Sequence, residues 1–405
     1  MMELPADHNE FDMSQLNGFY RHYLSLFEPT TDAPVEFILT ALLAGLGAAI
    51  SLNRWIEWGT KRIYPNIWAI LVAPSTHQRK STALDVGLYF NRRLEEEISG
   101  RQLILPNDGS FAALLPLLQE EKHGVIRHSE FASLLENMGK GFNNNMKSLM
   151  TDFFDVPRVH NIRLVSDGDI RLERPIFSLA AATTLNWFRQ KTTINDLESG
   201  FLARFLYCYR ENKDRSIPVP NPPDIAECEK FLAAFRKILG FRPSGITYDE
   251  GFRRVFCQAY DSIDRLYRDV LVDDGTKALI GRLQTDYFLK LSIIECVLSK
   301  TIVATEEIAV RANYLIGYYL AQARRVMGAI LKTKRSEHEE KVLHFLAGKG
   351  DATMTDLHEL FSRNLHAHNI KAILKSLIDA NLIAKRKNGR TETYSLFGQI
   401  RPEDE

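Results

Sequence analysis

Read for the spacing of apolar and polar positions, the chain changes character several times along its length. Residues 1 to about 15 are polar and acidic, and from Leu16 to Leu52 apolar positions recur at helical spacing. Within that stretch, residues 37–52 (FILTALLAGLGAAISL) carry no charge. The run is shorter than the roughly 20 residues a helix needs to cross a bilayer, so it predicts a helix buried in a core. A different pattern follows. Residues 67–72 (IWAILV) are a short apolar run rich in branched side chains, set between Pro65 and Pro74. Such a run predicts a strand covered on both faces. A helix is predicted from about Ser81 to Ile98, and further strands at 124–127, 176–182 and 205–209. Strands alternating with helices predict an α/β fold with a parallel sheet between helical layers.

Residues 216–224 (SIPVPNPPD) hold four prolines and read as a stiff, extended connector. Beyond it the pattern is helical only, up to a basic hinge at 332–335 (KTKR). The last stretch reads helix, helix, helix and then two strands around Asn388-Gly389, a pair that favours a type I′ hairpin. That order predicts a winged-helix domain, its third helix in the major groove and its wing on phosphates. Lys371, Lys375, Lys385, Arg386, Lys387 and Arg390 are its candidate DNA contacts, and a protein-interaction role is the alternative. The divisions are therefore 1–62, an N-terminal helical region; 63–220, the α/β core; 221–335, a helical lid; and 336–400, the winged helix.

Composition narrows the function classes. The 405 residues are 45% apolar and 25% charged, as in ordinary globular domains. Lys+Arg and Asp+Glu balance at 51 each, so any surface for DNA must be local. Cys208, Cys228, Cys257 and Cys296 are scattered, with no CxxC pair. That spacing excludes a zinc ribbon or disulfide framework and fits a reducing cytosol. The N-terminus lacks a basic segment ahead of an apolar run, so neither a secretion signal nor a membrane anchor is expected, and the expected location is cytoplasmic.

The candidate chemistry begins after the first core strand, in APSTHQRKST. Strand, turn, Lys-Ser-Thr and helix is the context in which a P-loop holds phosphates on backbone amides and a helix N-terminus. Lys80 is the candidate phosphate lysine and Ser81 the candidate Mg²⁺ ligand, with Ser75, Thr76, Arg79 and Thr82 around them. The loop has no glycine, and 73–80 is one residue longer than GxxxxGK. Arg79 stands where the last glycine is expected and is a candidate second charge on the phosphates. A basic helix start without a ligand is the alternative. Glu130, after the second strand, is the candidate that orients water, or else simply a helix N-terminal acid. Ser129 before it is a weak second magnesium ligand. Thr183 and Thr184 end a strand where ligands of open α/β sheets sit. Arg204 precedes the fourth strand, as a trans-acting arginine or a structural ion pair.

In the order APSTHQRKST, GVIRHSEF, IFSLAAATT, SGFLARF and a helical region, the chain resembles the AAA+ ATPases. It is especially similar to a P-loop family of phage, prophage and plasmid replication proteins, many fused or adjacent to primases. The resemblance spans roughly residues 35 to 330, and AATTLNWF with DLESGFLARFLYC is its most specific part. It also resembles the minichromosome-maintenance helicases, in which a hairpin ahead of the sensor strand lines the DNA channel. Residues 158–177 (RVHNIRLVSDGDIRLERPIF) occupy that place, with an acidic SDGD turn and Arg163, Arg171 and Arg174 on the arms. The resemblance implies ATP and Mg²⁺ as ligands, a hexamer-like ring, Lys80, Glu130 and Arg204 as the catalytic set, Thr183 or Thr184 as first sensor and Arg282 as second. It also implies DNA and a primase or recombination protein as partners. Three functions follow: a DNA motor of a mobile element, a nucleotide-binding scaffold, or a winged-helix regulator with a degenerate ATPase fold.

Overall fold

The computed structural model describes residues 11–397 apart from 75–76, 99–101, 107–110, 121–122, 139–145, 165–167, 194–195, 198, 270–273, 363, 380–381 and 389–390. In chain order the strands are β1 (Arg54–Trp58), β2 (Lys61–Ile63), β3 (Trp68–Val72), β4 (Ile104–Leu105), β5 (Val125–His128), β6 (Val159–Leu164), β7 (Gly168–Glu173), β8 (Ser178–Thr183), β9 (Leu206–Tyr209), β10 (Ser244–Tyr248), β11 (Val303–Ala304), β12 (Ala352–Thr353), β13 (Ile383–Asn388) and β14 (Thr391–Leu396). They fall into two compact units, one of Met1–Thr192 with Asp196–Val326, the other of Thr193–Asn195 with Met327–Glu405.

The first unit is built on a five-stranded parallel sheet in the order β4-β5-β8-β3-β9. Every residue of β3 and β8 is buried, which is why β3 reads as an unbroken apolar run and β8 as an apolar stretch between Ser178 and Thr183. Val72 pairs with Thr183 and with Tyr209, so three strand ends lie level at the carboxyl edge. The apolar run at 37–52 is the helix Val35–Ile50, and every residue of it but Val35 is buried within the fold. By length and composition the stretch Val35–Asn53 is apolar enough to cross a membrane, and 89% of its window is packed inside this unit. It lies very close to its neighbours: a Cβ on Gly47 would fall 2.2 Å from the carbonyl oxygen of Pro65, and one on Gly87 would fall 2.4 Å from the Ala41 Cβ. The helix expected over 81–98 is two helices, Lys80–Gly87 and Tyr89–Glu97, parted at Leu88 (φ −100°, ψ 12°).

A second sheet, β11-β10-β1-β2, corrects the expectation that nothing but helix lies beyond the prolines. Only Ile56 of β1 and Ile246 of β10 are buried, and one buried side chain per strand leaves no alternation to detect. β1 pairs parallel with β10 and turns through Gly59 (φ +60°) into β2. The helices Ile225–Leu239, Glu250–Asp269, Asp274–Arg282 and Phe288–Leu298 complete this part, the last two joined by a π-turn at Leu283–Tyr287. The hinge expected at 332–335 is not a break: the helix Glu306–Lys349 runs through it, since nothing in KTKR opposes a helix.

The second unit has its own core of Val342, Leu346, Leu357, Ile370, Leu374 and Tyr394. After the end of Glu306–Lys349 come β12, the helices Met354–Leu360 and Ala367–Asp379, and the β13–β14 hairpin, giving a sheet in the order β12-β14-β13. A capping box between Thr353 and Asp356 starts the first of these helices. Asn388 pairs with Thr391, and residues 389–390, with the Gly389 of the expected turn, lie outside the described residues.

Candidate functional site

At the carboxyl edge of the sheet, the chain leaves β3 at Val72, and the amide of Ala73 still donates to the carbonyl of Thr183 at 3.3 Å. The turn ends at Arg79, which adopts the left-handed conformation (φ 50°, ψ 35°) that glycine would take without cost. Lys80 then opens the helix Lys80–Gly87. Its ammonium folds back and donates to the carbonyl oxygens of Pro74 (2.7 Å) and Ala73 (3.3 Å). Burial pulls the Lys80 pKa down, and the Glu130 carboxylate partly restores it. Ser81 is exposed and Thr82 half-buried, while Ser75 and Thr76 lie outside the described residues. Arg79 is engaged within the chain: its Nε meets buried Asp32 at 3.2 Å, and Lys213 binds the same carboxylate. Burial raises the Asp32 pKa, but the two cations outweigh burial and hold it low.

Glu130 is the N-cap residue of the helix Phe131–Asn137, yet its carboxylate makes no cap hydrogen bond. Instead Oε1 accepts from the hydroxyl of Thr183 at 2.6 Å. Thr183 is fully buried at the end of β8, between the strands that carry Lys80 and Glu130. Thr184 is occupied otherwise, capping the helix Leu185–Lys191 through the amide of Trp187 at 3.3 Å. Ser129 is exposed beside Glu130. A pair absent from the sequence reading ties the two sides together. Arg127 of β5 reaches Asp85 of the Lys80–Gly87 helix through two nitrogens, at 2.8 and 3.2 Å. Its signal was a charge inside an otherwise apolar strand, since such residues are rarely covered without a partner.

Arg204 and Arg282 lie at the other end of the sheet. Arg204 is 7% exposed, donates to Gly200 O (2.8 Å) and pairs with Asp155 (3.3 Å). Arg282 pairs with the same Asp155 (2.9 Å) and with Asp286 (2.6 Å). Burial raises the Asp155 pKa, but the two guanidinium charges overcome it and leave it lowered. Tyr287 donates to Trp68 O (3.0 Å) and to Arg204 O, which places this cluster beside the first residue of β3. Trp68 to Val72 spans roughly 13 Å at about 3.3 Å per residue. The structure therefore does not bring Arg282 to Lys80, as a second sensor on the same nucleotide would require. Nearby, Lys290 is fully buried, donates to Tyr64 O (3.0 Å) and Asn66 Oδ1, and stands 4.4 Å over the Phe154 ring. Burial pushes its pKa down to about 7.

β6 and β7 form the expected hairpin, with Arg163 exposed 3.6 Å from Asp169 and Arg171 3.3 Å from Glu173. Arg174 is half-buried in a left-handed conformation (φ 46°). In the second unit Lys371 and Lys375 are exposed one turn apart on Ala367–Asp379. Lys385 and Lys387 share one face of β13, with Lys385 2.7 Å from Glu392. Arg386 faces the other way, and Arg390 lies outside the described residues. Among the described residues no three His, Cys, Asp or Glu side chains gather to hold a metal ion. The four cysteines are free thiols.

The class these features define is an α/β protein whose parallel sheet presents a lysine, a carboxylate and a hydroxyl at one edge. No family model and no curated protein matches the chain. Among solved structures it is similar to a full-length MCM homolog from Methanopyrus kandleri, with a TM-score of 0.39 and 14% identity over 78% of this chain. The match spans 63% of that protein's length.

Proposed function

We propose that this chain is an ATP-dependent, DNA-acting ATPase of the AAA+ kind, a replicative helicase or remodeller of a mobile genetic element. The observation that carries the reading is the convergence of Lys80, Thr183 and Glu130 at the ends of three adjacent strands. The half-buried Lys80 ammonium has two carbonyl oxygens as its hydrogen-bond acceptors, an arrangement that phosphate oxygens would improve on. On binding, Lys80 exchanges those carbonyls for the triphosphate, and the amides that open its helix face the same oxygens. Thr183 fixes the Glu130 carboxylate, which orients the attacking water and takes up its proton. Mg²⁺ would sit against Ser81 and, through water, Ser129, where it neutralises phosphate charge. Two hydroxyls fit an ion that leans mainly on the phosphates.

Arg204 and Arg282, sharing Asp155 at the far end, serve a neighbouring copy in a ring rather than their own nucleotide, and Arg204, 7% exposed, does so by leaving Gly200 and Asp155 when the copies meet. The second unit, read as a winged helix with Lys371, Lys375, Lys385 and Lys387 on its surface, is the DNA-anchoring part, and a primase or recombination protein is the partner class. The cytoplasm is the compartment this reading calls for. The test is DNA-stimulated ATP hydrolysis. Glu130→Gln lowers the turnover rate by about 100-fold or more while nucleotide still binds, and Lys80→Ala abolishes binding. Deleting residues 336–405 removes salt-dependent duplex binding. Hydrolysis at background in the wild-type chain with DNA present would sink the motor. A scaffold that assembles on nucleotide without turnover is the second reading, favoured by Arg79 engaged on Asp32 and by the uncharged Ser129.

A further inference from the structure

Away from the sheet edge, a cavity of about 350 Å³ opens between the helices Gly18–Phe27, Ile225–Leu239 and Phe288–Leu298. Its walls are Phe19, Ile238, Phe241, Val297 and Ile302. Ala234 also faces it, and three cations, Arg54, Lys237 and Lys300, join the lining, whereas no carboxylate does. Arg54 is held in place: its guanidinium lies 4.5 Å over the Phe241 ring, and one nitrogen donates to the carbonyls of Asn53 (2.7 Å) and Arg242 (2.6 Å). Those partners are neutral, and burial pulls the Arg54 pKa down. The buried carboxylate of the last helix, Glu295, is committed to Arg311 (2.9 Å) and Asn17 (3.1 Å). The cavity is thus apolar within and positive at its lining, with its counter-charge supplied by nothing that lines it.

Its size is near the lower end for ligand sites, which run from about 300 Å³ upward, so it suits one large apolar side chain better than a cofactor. The surroundings favour a peptide. Ile302, 53% exposed, carries the apolar lining out to the surface, so a single side chain can enter while the chain that bears it stays outside, beside the three cations. We propose that this cavity docks an acidic peptide segment of a partner protein, with one apolar anchor inside and flanking carboxylates on Arg54, Lys237 and Lys300. The inference stands apart from the nucleotide reading, since none of these residues touches Lys80 or Glu130.

The probe is a short fluorescein-labelled peptide rich in Asp and Glu around a single Phe, followed by anisotropy with the full chain. Saturable binding that weakens as salt rises is expected. Replacing the peptide Phe by Ser, or pairing Lys237→Glu with Lys300→Glu in the protein, weakens binding about tenfold or more. Ala234→Leu, which fills the cavity and touches no charge, does the same. No binding by the wild-type chain, or binding indifferent to the peptide Phe, overturns the proposal. So does octanoate binding that the peptide cannot displace, which would make the cavity a small-molecule site.

Discussion

Two residues carry strain whose sign can be tested. Arg79 holds a left-handed backbone, which costs a non-glycine residue roughly 1–2 kcal/mol. Against that stands its pairing with Asp32, but the Arg79 side chain is 54% exposed, and such pairs contribute about 0–1 kcal/mol. Asp32 also keeps Lys213. The backbone term wins, so Arg79→Gly is expected to leave the urea midpoint unchanged or raised and to preserve nucleotide affinity. A clear loss of either would mean that the Asp32 contact organises the loop. Lys290 offers a pH test. Burial lowers its pKa from 10.5 to about 7; Asp286 and Asp155 oppose the shift, while Arg282 and Arg204 add to it. Between those limits the unfolded chain holds the extra proton, so stability climbs as pH rises above 7, by about 1.4 kcal/mol per pH unit from this group. Below pH 7 the group is charged in both states and adds no slope. Urea unfolding at pH 7 and 8.5 should show a steeper rise in the wild type than in Lys290→Met; equal slopes would mean that Lys290 keeps its proton throughout.

Between elements, the contact that most directly positions Lys80 is that of its helix with Val35–Ile50. Gly87 makes the approach possible, since a Cβ there would fall 2.4 Å from Ala41 Cβ and 2.8 Å from both Ile38 O and Leu42 N. Helix propensity favours Gly87→Ala by about 1 kcal/mol, whereas overpacking against backbone costs about 1–3 kcal/mol. Sterics should prevail: unfolding shifts to lower urea and hydrolysis falls with it, and a more stable variant would contradict the packing. How much of this was legible follows element by element. β3 and β8 were readable because both faces are buried, so β3 is apolar throughout and β8 is apolar between Ser178 and Thr183. β1 and β10 were not, because each buries a single residue, and β4 and β12 have only two residues each. Lys80 and Glu130 were legible from the strand-to-helix context. Arg127 was visible only as a charge in an apolar strand; its partner Asp85, and the pairing of Asp32 with Lys213, were not legible, because ion pairs formed across 42 and 181 positions leave no local pattern. Arg282 entered only through the resemblance, and its pairing with Asp155, 127 positions away, leaves no local pattern either.

At the scale of the whole molecule, the proposed catalytic set is divided between the two ends of one sheet. Lys80, Thr183 and Glu130 occupy the carboxyl edge, while Arg204 and Arg282 share Asp155 beside the start of β3. A guanidinium at that end cannot reach its own nucleotide without dismantling the strand between them. Within one chain it can only be structural. Between copies, however, one subunit's amino edge can face the next subunit's carboxyl edge, and a head-to-tail contact of that kind builds a ring where its rotation closes and a filament where it does not. The two roles separate in a mixing experiment. Lys80→Ala and Arg204→Ala subunits are each expected to be inactive alone. Mixed, they form junctions in which an intact Lys80 site meets an intact Arg204 from its neighbour, so part of the DNA-stimulated hydrolysis returns. A structural Arg204 predicts the opposite, because the misfolded partner contributes nothing and the mixture stays as inactive as its parts. The Arg282→Ala variant then separates the two arginines. If the pair acts together across the junction, it is rescued by Lys80→Ala subunits as Arg204→Ala is; if Arg282 only anchors Asp155, its loss shows as a lower urea midpoint with hydrolysis in the mixture no better than in the variant alone.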